Sequence, residues 1–390
     1  MIVICFAVNL SVIQQSKCRA TQPSAIVISS PMQHSQRSTG RLMLLVIAAC
    51  IPGVATATWY FGFGVLINIM LAASMAIVLE ACALKLRGRD IRLHLSDNSA
   101  LVTAVLFGIA MPPGASWWLV AMGIFFAIVI AKHIYGGLGQ NLFNPAMCGY
   151  VLLLLSFPVE MTSWHIPNDV LVDGSSFSAF SLAGLRQSLM VSMPVFGSAQ
   201  MSSPDSIDGL AMATPLIEFQ MAGTSALLAA WDAGVSLFSR DSGAAWELVN
   251  MGYLCGGLFL IYKRIISWHI PCAIIATVTM MSTLFYAPDS SAIYGTPYLH
   301  LFGSATMIGA FFIATDPVSA ATTVRGKIYY GIIIGLAIYG IRVWGSYLDS
   351  IAFAVLLGNF CAPALDYLCR PRIYGHGKKS RSVPTTEVEP

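Results

Sequence analysis

Long apolar runs, broken by short polar or glycine-containing segments, dominate this chain. Residues 42–79 and 98–131 contain no Asp, Glu, Lys or Arg. A helix needs about 20 mainly apolar residues to cross a bilayer, and a charge near its centre costs about 2.5–3.5 kcal/mol on insertion scales. The pattern therefore predicts membrane-spanning helices, and each of these two runs is long enough for a pair of them.

Turn-forming segments divide the apolar runs. Pro52-Gly53 and the Trp59–Gly62 cluster break the first run, Met111-Pro112-Pro113-Gly114 breaks the second, and Gly136-Gly137-Leu138-Gly139 precedes a further helix. Five more apolar runs follow residue 245. We predict an all-α polytopic membrane protein with about ten transmembrane helices, near residues 42–58, 63–84, 98–112, 116–132, 142–158, 246–262, 267–286, 298–315, 327–344 and 349–368.

The distribution of charge predicts the orientation. Ten spans put both termini on one side, and 18 of the 21 Lys and Arg residues fall on that side. Cytoplasmic loops are enriched in Lys and Arg, so we expect a bacterial inner-membrane protein with both termini in the cytoplasm. The composition agrees, because only 10% of the residues are charged, against about 25% in soluble domains. We expect no nucleic-acid partner.

This topology divides the chain into five parts. They are a cytoplasmic N-terminal segment (1–40), a first five-helix half (41–158), a periplasmic loop (159–245), a second five-helix half (246–368) and a cytoplasmic tail (369–390). The loop carries eight acidic and two basic residues, which places it outside by the same rule. Residues 219–239 compete as a span, but Asp232 within them makes insertion costly.

The two membrane halves share a pattern. Asn98-Ser99-Ala100 opens a helix that ends at Met111-Pro112-Pro113, and Gly303-Ser304-Ala305 opens a stretch that ends at Thr315-Asp316-Pro317. Each is followed by a helix, a glycine-containing turn and another helix. Because the two segments run in opposite directions, we predict an inverted repeat of helices one to five and six to ten. Packing of small residues between helices is the alternative source of the similarity.

The segment Gly136–Met147 is unusual for a membrane boundary, with three glycines, two asparagines and a proline. Unwound backbone there must be buried in protein or line a cavity. Asn141 and Asn144 are three residues apart, and their amides suit the carbonyl and ring nitrogens of a ligand. The alternative is that they cap a broken helix.

Other polar residues lie at predicted boundaries. Asp316 and Asp349 are either solvated or involved in ion movement, and Arg342 and Asp349 flank a short outer turn across which they could pair. His133 and His269 have no second ligand at metal spacing, so both are expected to be structural, and no metal site is predicted. The nine cysteines form no CxxC pair, which argues against a zinc or iron–sulfur site.

The periplasmic loop contains a Thr-Pro step within Asp208–Leu216. Taken alone, this segment predicts a helix that begins at Pro215 with Thr214 as its N-cap. A threonine hydroxyl is a weak nucleophile unless a base activates it, and no base adjoins Thr214. We therefore assign it no catalytic role.

Several long motifs, in the same order, resemble the D subunit of the Rnf/Rsx electron-transport complex and, more distantly, the B subunit of the sodium-translocating NADH:quinone reductase. The resemblance covers about Ser29 to Gly377, and residues 1–25 have no recognised counterpart. The matching segments are Ser29-Ser30-Pro31 with Gln36-Arg37, Asp97–Leu101, Gly136–Met147, Asp208–Leu216, Ser304–Pro317, and Arg370-Pro371-Arg372 with Tyr374-Gly375-His376.

The resemblance implies that Thr214 carries FMN through a phosphoester bond made by a flavin transferase. Asp208, Ala213 and Thr214 fit the family's attachment pattern, whereas Ala211 and Met212 replace its usual Ser and Gly. The transferase is therefore expected to modify this chain less well.

The resemblance also implies a second, noncovalent flavin, because Asn141 and Asn144 match positions that contact riboflavin in the related reductase. The chain would then be a translocase subunit that passes electrons between ferredoxin and NAD, coupled to ion translocation, beside other subunits of the complex. One rival hypothesis is an inverted-repeat secondary transporter or channel without a redox cofactor. Another is a purely structural scaffold.

Overall fold

The computed structural model describes residues 39–137, 139–162, 164–165, 182–193, 211–212, 242–286, 296–345 and 350–370. These residues are helical apart from one pair of two-residue strands and the turns between elements. The elements are α1 (Thr39–Phe61), α2 (Gly64–Leu86), α3 (Ile91–Leu95), α4 (Ser99–Ala110), α5 (Trp117–Phe125) with the π-helix π1 (Phe126–Ile134), α6 (Pro145–Ser156), α7 (Pro158–Thr162), β1 (Trp164–His165), α8 (Leu182–Ser192), β2 (Ala211–Met212), α9 (Ser242–Tyr262), α10 (His269–Leu284), α11 (Pro297–Phe302), α12 (Thr306–Ile308) with π2 (Gly309–Ile313), α13 (Val324–Trp344) and α14 (Ser350–Leu368).

The all-α prediction is confirmed, and each predicted span coincides with helical structure. Five helical segments are long and apolar enough to cross a membrane by length and composition. They are Thr39–Phe61, Gly64–Leu86, Trp117–Ile134, Val324–Trp344 and Ser350–Leu368. The chain is therefore a membrane protein, while ten crossings and the inverted repeat stay predictions.

The break between the first two helices falls later than the Pro52-Gly53 pair. Pro52 lies inside α1, which continues to Phe61. The chain turns at Gly62, whose φ of +80° is in the left-handed region that favours glycine. The prediction that Pro52-Gly53 helps to break the first apolar run is therefore wrong.

The segment predicted at 298–315 is interrupted. Helix α11 ends at Phe302, the backbone departs from helical geometry over 303–305, and α12 resumes at Thr306 before widening into π2. All five residues of π2 are buried. The corresponding α4 in the first half is also short, with 12 residues, and nine of them are buried. Short helices that are apolar all round belong inside a bundle, where longer helices surround them.

The two halves of the chain meet directly. Helix α1 packs along α9 with small residues between them, since a Cβ at Gly256 would overlap the Ala49 carbonyl oxygen and one at Gly53 would overlap the Tyr253 ring. Close backbone approach through small residues is how membrane helices gain van der Waals contact. The Asn144 Nδ2 also donates to the Ile313 carbonyl oxygen at 3.4 Å, which ties α6 to π2.

We predict that Gly256→Val destabilises the fold, because the added side chain would collide with the backbone of α1. Overpacking of this kind costs about 1–3 kcal/mol. Gly340→Val in α13 is the matched control, since a Cβ there meets only the Trp344 ring at an ordinary 3.8 Å. The measurement is the apparent melting temperature of each variant in detergent, and equal melting temperatures for the two would contradict the packing described.

Candidate functional site

The predicted attachment site can be located only in part. Thr214, Asp208 and Ala213 lie outside the described residues. The segment just before Thr214 is described, because β2 pairs antiparallel with β1 and Met212 lies opposite Trp164. The pairing brings this part of the predicted periplasmic loop against the end of the helical bundle.

Three aromatic rings pack together beside the strand pair. The Trp164 ring centroid lies 4.9 Å from that of Trp246 and 5.8 Å from that of Phe61, and the rings of Phe61 and Trp246 are 5.2 Å apart. All three contacts are edge-to-face, the arrangement that the quadrupoles of aromatic rings favour. We call these residues the aromatic cluster.

The aromatic cluster lines a cavity of about 90 Å³ that both halves of the chain form, here called the aromatic cavity. Ile109 and Tyr150 contribute to it from the first half, and Asn250 and Ser304 from the second. Asn250 supports the interrupted segment beside the cavity, because its Nδ2 donates to the Phe302 carbonyl oxygen at 2.8 Å and its Oδ1 accepts from the Met307 N–H at 3.4 Å.

A second cavity, of about 40 Å³, lies at the opposite end of α4. We call it the polar cavity. Its polar lining consists of Ser99, Thr103, Lys132, Asn141, Asn144 and Asp316. The segment Gly136–Met147 thus lines a cavity, as its unwound backbone requires, and Gly136, Gly137 and Gly139 all have positive φ values.

Asn141 and Asn144, the two predicted ligand contacts, form different hydrogen bonds. Asn144 is the N-cap of α6, and its Oδ1 accepts from the Ala146 and Met147 N–H groups at 3.0 and 3.4 Å. Its Nδ2 is also engaged, with Ile313. Asn141 donates from Nδ2 to the Phe143 carbonyl oxygen at 2.9 Å, while its Oδ1 is buried without a hydrogen-bond partner among the described residues. The capping interpretation therefore holds for Asn144, and only Asn141 retains an open acceptor.

Asp316 is half-buried in the turn after π2. Its carboxylate accepts from the Ser319 hydroxyl at 2.9 Å. Burial raises the pKa of the Asp316 carboxyl above its ordinary value, against the opposing effect of hydrogen bonds from Ser319 and from the Val318 and Ser319 backbone. No described Lys, Arg or His forms an ion pair with it.

A buried charge cluster of Glu80, Lys132 and His133 was not predicted. The Lys132 Nζ donates to both Glu80 carboxylate oxygens, at 2.7 and 2.8 Å, and to the Ser99 hydroxyl at 2.8 Å. The His133 Nε2 lies 3.3 Å from the Glu80 Oε2. Lys132 was placed at the end of the predicted span 116–132, and His133 was expected to be structural. The signal in the sequence was Glu80, the single charge within the predicted span 63–84.

Arg342 is buried and does not lie at a solvated boundary. Only 3% of it is exposed, and the predicted partner Asp349 lies outside the described residues. Among its hydrogen bonds to described residues, the guanidinium donates to four neutral acceptors. They are the Ser350 hydroxyl at 3.0 Å, the His300 carbonyl oxygen at 2.7 Å, the Ser304 hydroxyl at 3.0 Å and the Thr306 hydroxyl at 3.0 Å.

The model of the NQR2, RnfD, RnfE family matches residues 26–375. The chain belongs to this family. Among similar proteins, the D subunit of the ion-translocating oxidoreductase complex of Aeromonas hydrophila is 48% identical over 363 residues, and that of Aliivibrio salmonicida is 47% identical over 357. A protein of the same name from Escherichia coli O139:H28 is 44% identical over 361 residues. Each alignment covers 90% of this chain and 99% of the relative.

We predict that Arg342→Gln destabilises the fold strongly, because the shorter neutral side chain leaves several buried acceptors without a donor. Hydrogen bonds to charged groups contribute about 1.5–3 kcal/mol each, so a loss of roughly 3 kcal/mol or more is expected. Arg325→Gln, at an exposed position of the same helix, is the control and should change little. Thermal unfolding in detergent measures both, and a small effect at Arg342 would show that its contacts contribute little.

Proposed function

We propose that this chain is the membrane flavoprotein subunit of an Rnf/Rsx-type complex that passes electrons between ferredoxin and NAD, coupled to ion translocation. Its FMN would be covalently bound to Thr214 through a phosphoester. The main support is that relatives named as the D subunit of an ion-translocating oxidoreductase complex align over 99% of their length. The partners are then the other subunits of that complex, and maturation requires a flavin transferase.

The described residues near the attachment segment suit an aromatic cofactor. FMN, when bound, supplies the redox chemistry, and the protein supplies its position and surroundings. Thr214 follows Met212 by two residues, which the chain can extend to about 7 Å at most. Trp164 lies opposite Met212, so the aromatic cluster offers ring surfaces within reach of a group on Thr214. The aromatic cavity, at about 90 Å³, is smaller than ligand pockets of about 300–1,000 Å³ and does not enclose a whole flavin.

We propose further that the chain crosses the bacterial inner membrane ten times as an inverted repeat, with both termini cytoplasmic. Two corresponding contacts support the repeat. Lys132, late in the helix after α4, donates to Ser99 at the start of α4. Arg342, late in the helix after α12, donates to Ser304 just before α12. In the predicted topology these contacts lie on opposite sides of the membrane, as an inverted repeat requires.

A second, noncovalent flavin, riboflavin, remains a proposal. Of its two predicted contacts, Asn141 has an open buried acceptor, whereas both ends of the Asn144 amide are engaged within the protein. We therefore propose Asn141 as the contact. The polar cavity, at about 40 Å³, holds only a few atoms, so a flavin ring there requires neighbouring side chains to move.

The first test is in-gel flavin fluorescence of the denatured chain, produced together with a flavin transferase. We expect fluorescence in the wild type and none in Thr214→Ala, because the variant lacks the hydroxyl that forms the phosphoester. Thr162→Ala, at an exposed threonine in α7, is the matched control and should stay fluorescent. Fluorescence that persists in Thr214→Ala would exclude this residue as the anchor.

A second prediction concerns the departures from the family's attachment pattern. The double variant Ala211→Ser/Met212→Gly restores the usual residues, so we expect a larger flavin-labelled fraction than in the wild type at equal transferase. Intact-mass measurement gives the labelled fraction directly. An unchanged fraction would show that the two replacements do not limit attachment, and no label in either chain would favour the transporter hypothesis.

A further inference from the structure

The buried charge cluster has features that packing alone does not require. Glu80, Lys132 and His133 are 2%, 2% and 7% exposed, within helices that are otherwise apolar. Ionisable residues inside a membrane protein are costly and face partners or pathways. A hydrophobic replacement of a buried ion pair is often neutral or stabilising, so stability gives no reason to keep one here.

The local backbone places two adjacent side chains on one carboxylate. Neighbouring residues of an α-helix point about 100° apart, yet Lys132 and His133 both reach Glu80. They lie in the π-helical segment π1, a type of helix that is rare and frequently occurs at functional sites. The wider turn of π1 thus brings an ammonium and an imidazole to the same acceptor.

The cluster already contains its own cation. Both oxygens of Glu80 accept from the Lys132 Nζ at hydrogen-bonding distance. A metal cation would need those oxygens as ligands, and the ammonium occupies the place beside them. With His133 neutral, the carboxylate and the ammonium cancel and the net charge is zero. The remaining change open to the cluster is uptake of a proton, and histidine is the side chain that exchanges protons most readily near neutral pH.

A cavity borders the cluster on one side. Lys132 lines the polar cavity together with Asn141 and Asp316. Its other neighbour, Ser99, donates through its hydroxyl to the Asp97 carboxylate at 2.7 Å, and Asp97 is half-buried in the loop before α4. A continuous series of polar groups therefore runs from this loop, through Ser99 and Lys132, to Glu80.

The charged and titratable groups around His133 are few. Glu80 faces it from α2, and Arg87 donates to its carbonyl oxygen at 3.0 Å. Helix α5 contains no ionisable residue, and α6 contains only Cys148 and Tyr150, of which Tyr150 lines the aromatic cavity. Glu80 is therefore the acidic side chain beside the His133 ring, and the Lys132 ammonium shares the same carboxylate.

We propose that Glu80, Lys132 and His133 form a proton-binding site in which His133 takes up one proton that enters through the polar cavity. The inference rests on the proposed ion-translocating function and assigns the proton as the ligand of this site. A hydronium ion in the cavity gives a proton to the Lys132–Glu80 pair and leaves as water. Lys132 passes one of its protons to Glu80 as it takes the proton of the hydronium ion, and Glu80 passes the proton that it receives to His133, so the ammonium and the carboxylate are restored. The His133 ring takes up the proton, the imidazolium then pairs with the Glu80 carboxylate at 3.3 Å, and the net charge of the cluster rises from zero to +1.

The test uses inverted membrane vesicles that carry the whole complex. The rate of electron transfer and the acidification of the vesicle lumen, reported by a pH-sensitive dye, are measured in parallel with and without added Na⁺. We expect His133→Gln to keep electron transfer and to lose acidification, and we expect the wild type to acidify the lumen without added Na⁺. His94→Gln is the matched control, because His94 lies on the same side in the predicted topology and its Nδ1 has a partner outside the cluster, the Asp90 carbonyl oxygen at 3.0 Å.

Three outcomes would overturn the proposal. Acidification that persists in His133→Gln would show that the ring does not carry the proton. Acidification by the wild type that requires Na⁺ would assign a different ion. Loss of the assembled complex in both His133→Gln and His133→Asn would make the ring structural. Thr214→Ala keeps these results separate from the proposed function, because the absence of both flavin and electron transfer tests that function without reference to His133.

Discussion

Buried backbone that is not helical must still form hydrogen bonds, and this constraint organises both halves of the molecule. Around the interruption at 303–305, Arg342 and Asn250 supply donors and acceptors that helix geometry leaves unmet. At the start of α6, Asn144 caps the first turn and bonds to the end of π2. These side chains hold the irregular segments in place, and the two cavities lie beside them.

Lys132 and Arg342, which lie at corresponding positions in the two halves, have different kinds of hydrogen-bond acceptors. Lys132 meets a carboxylate, Glu80, as well as the Ser99 hydroxyl. Among the described residues, Arg342 donates to hydroxyl and carbonyl oxygens. The planar guanidinium spreads several donors over fixed directions and suits a scaffold of neutral acceptors. The ammonium is a compact charge that can lose a proton, and this difference makes the Lys132 side of the molecule the better place for ion chemistry.

Helix positions and the membrane class could be predicted from sequence, because charge-free runs and their glycine and proline breaks depend on local composition. Tertiary contacts could not be predicted in the same way. Glu80 and Lys132 are 52 residues apart, and no local pattern pairs them. Arg342 was expected at a solvated boundary because its burial depends on the interrupted segment folding back against it. Asn144 was predicted as either a ligand contact or a cap, and only the orientation of its amide decides between them.

The two cavities lie at opposite ends of α4, since Ser99 and Thr103 line the polar cavity whereas Ile109 and Ala110 line the aromatic cavity. The lining of the polar cavity reaches Leu106, three residues before Ile109, so about one helical turn of α4 separates the two linings. The aromatic end has rings and hardly any charge, and it lies next to the attachment segment. The polar end has the carboxylate, ammonium and imidazole groups. If electrons and ions are coupled in this chain, the coupling must act across this distance, and the buried, closely packed α4 is the rigid element that connects both ends.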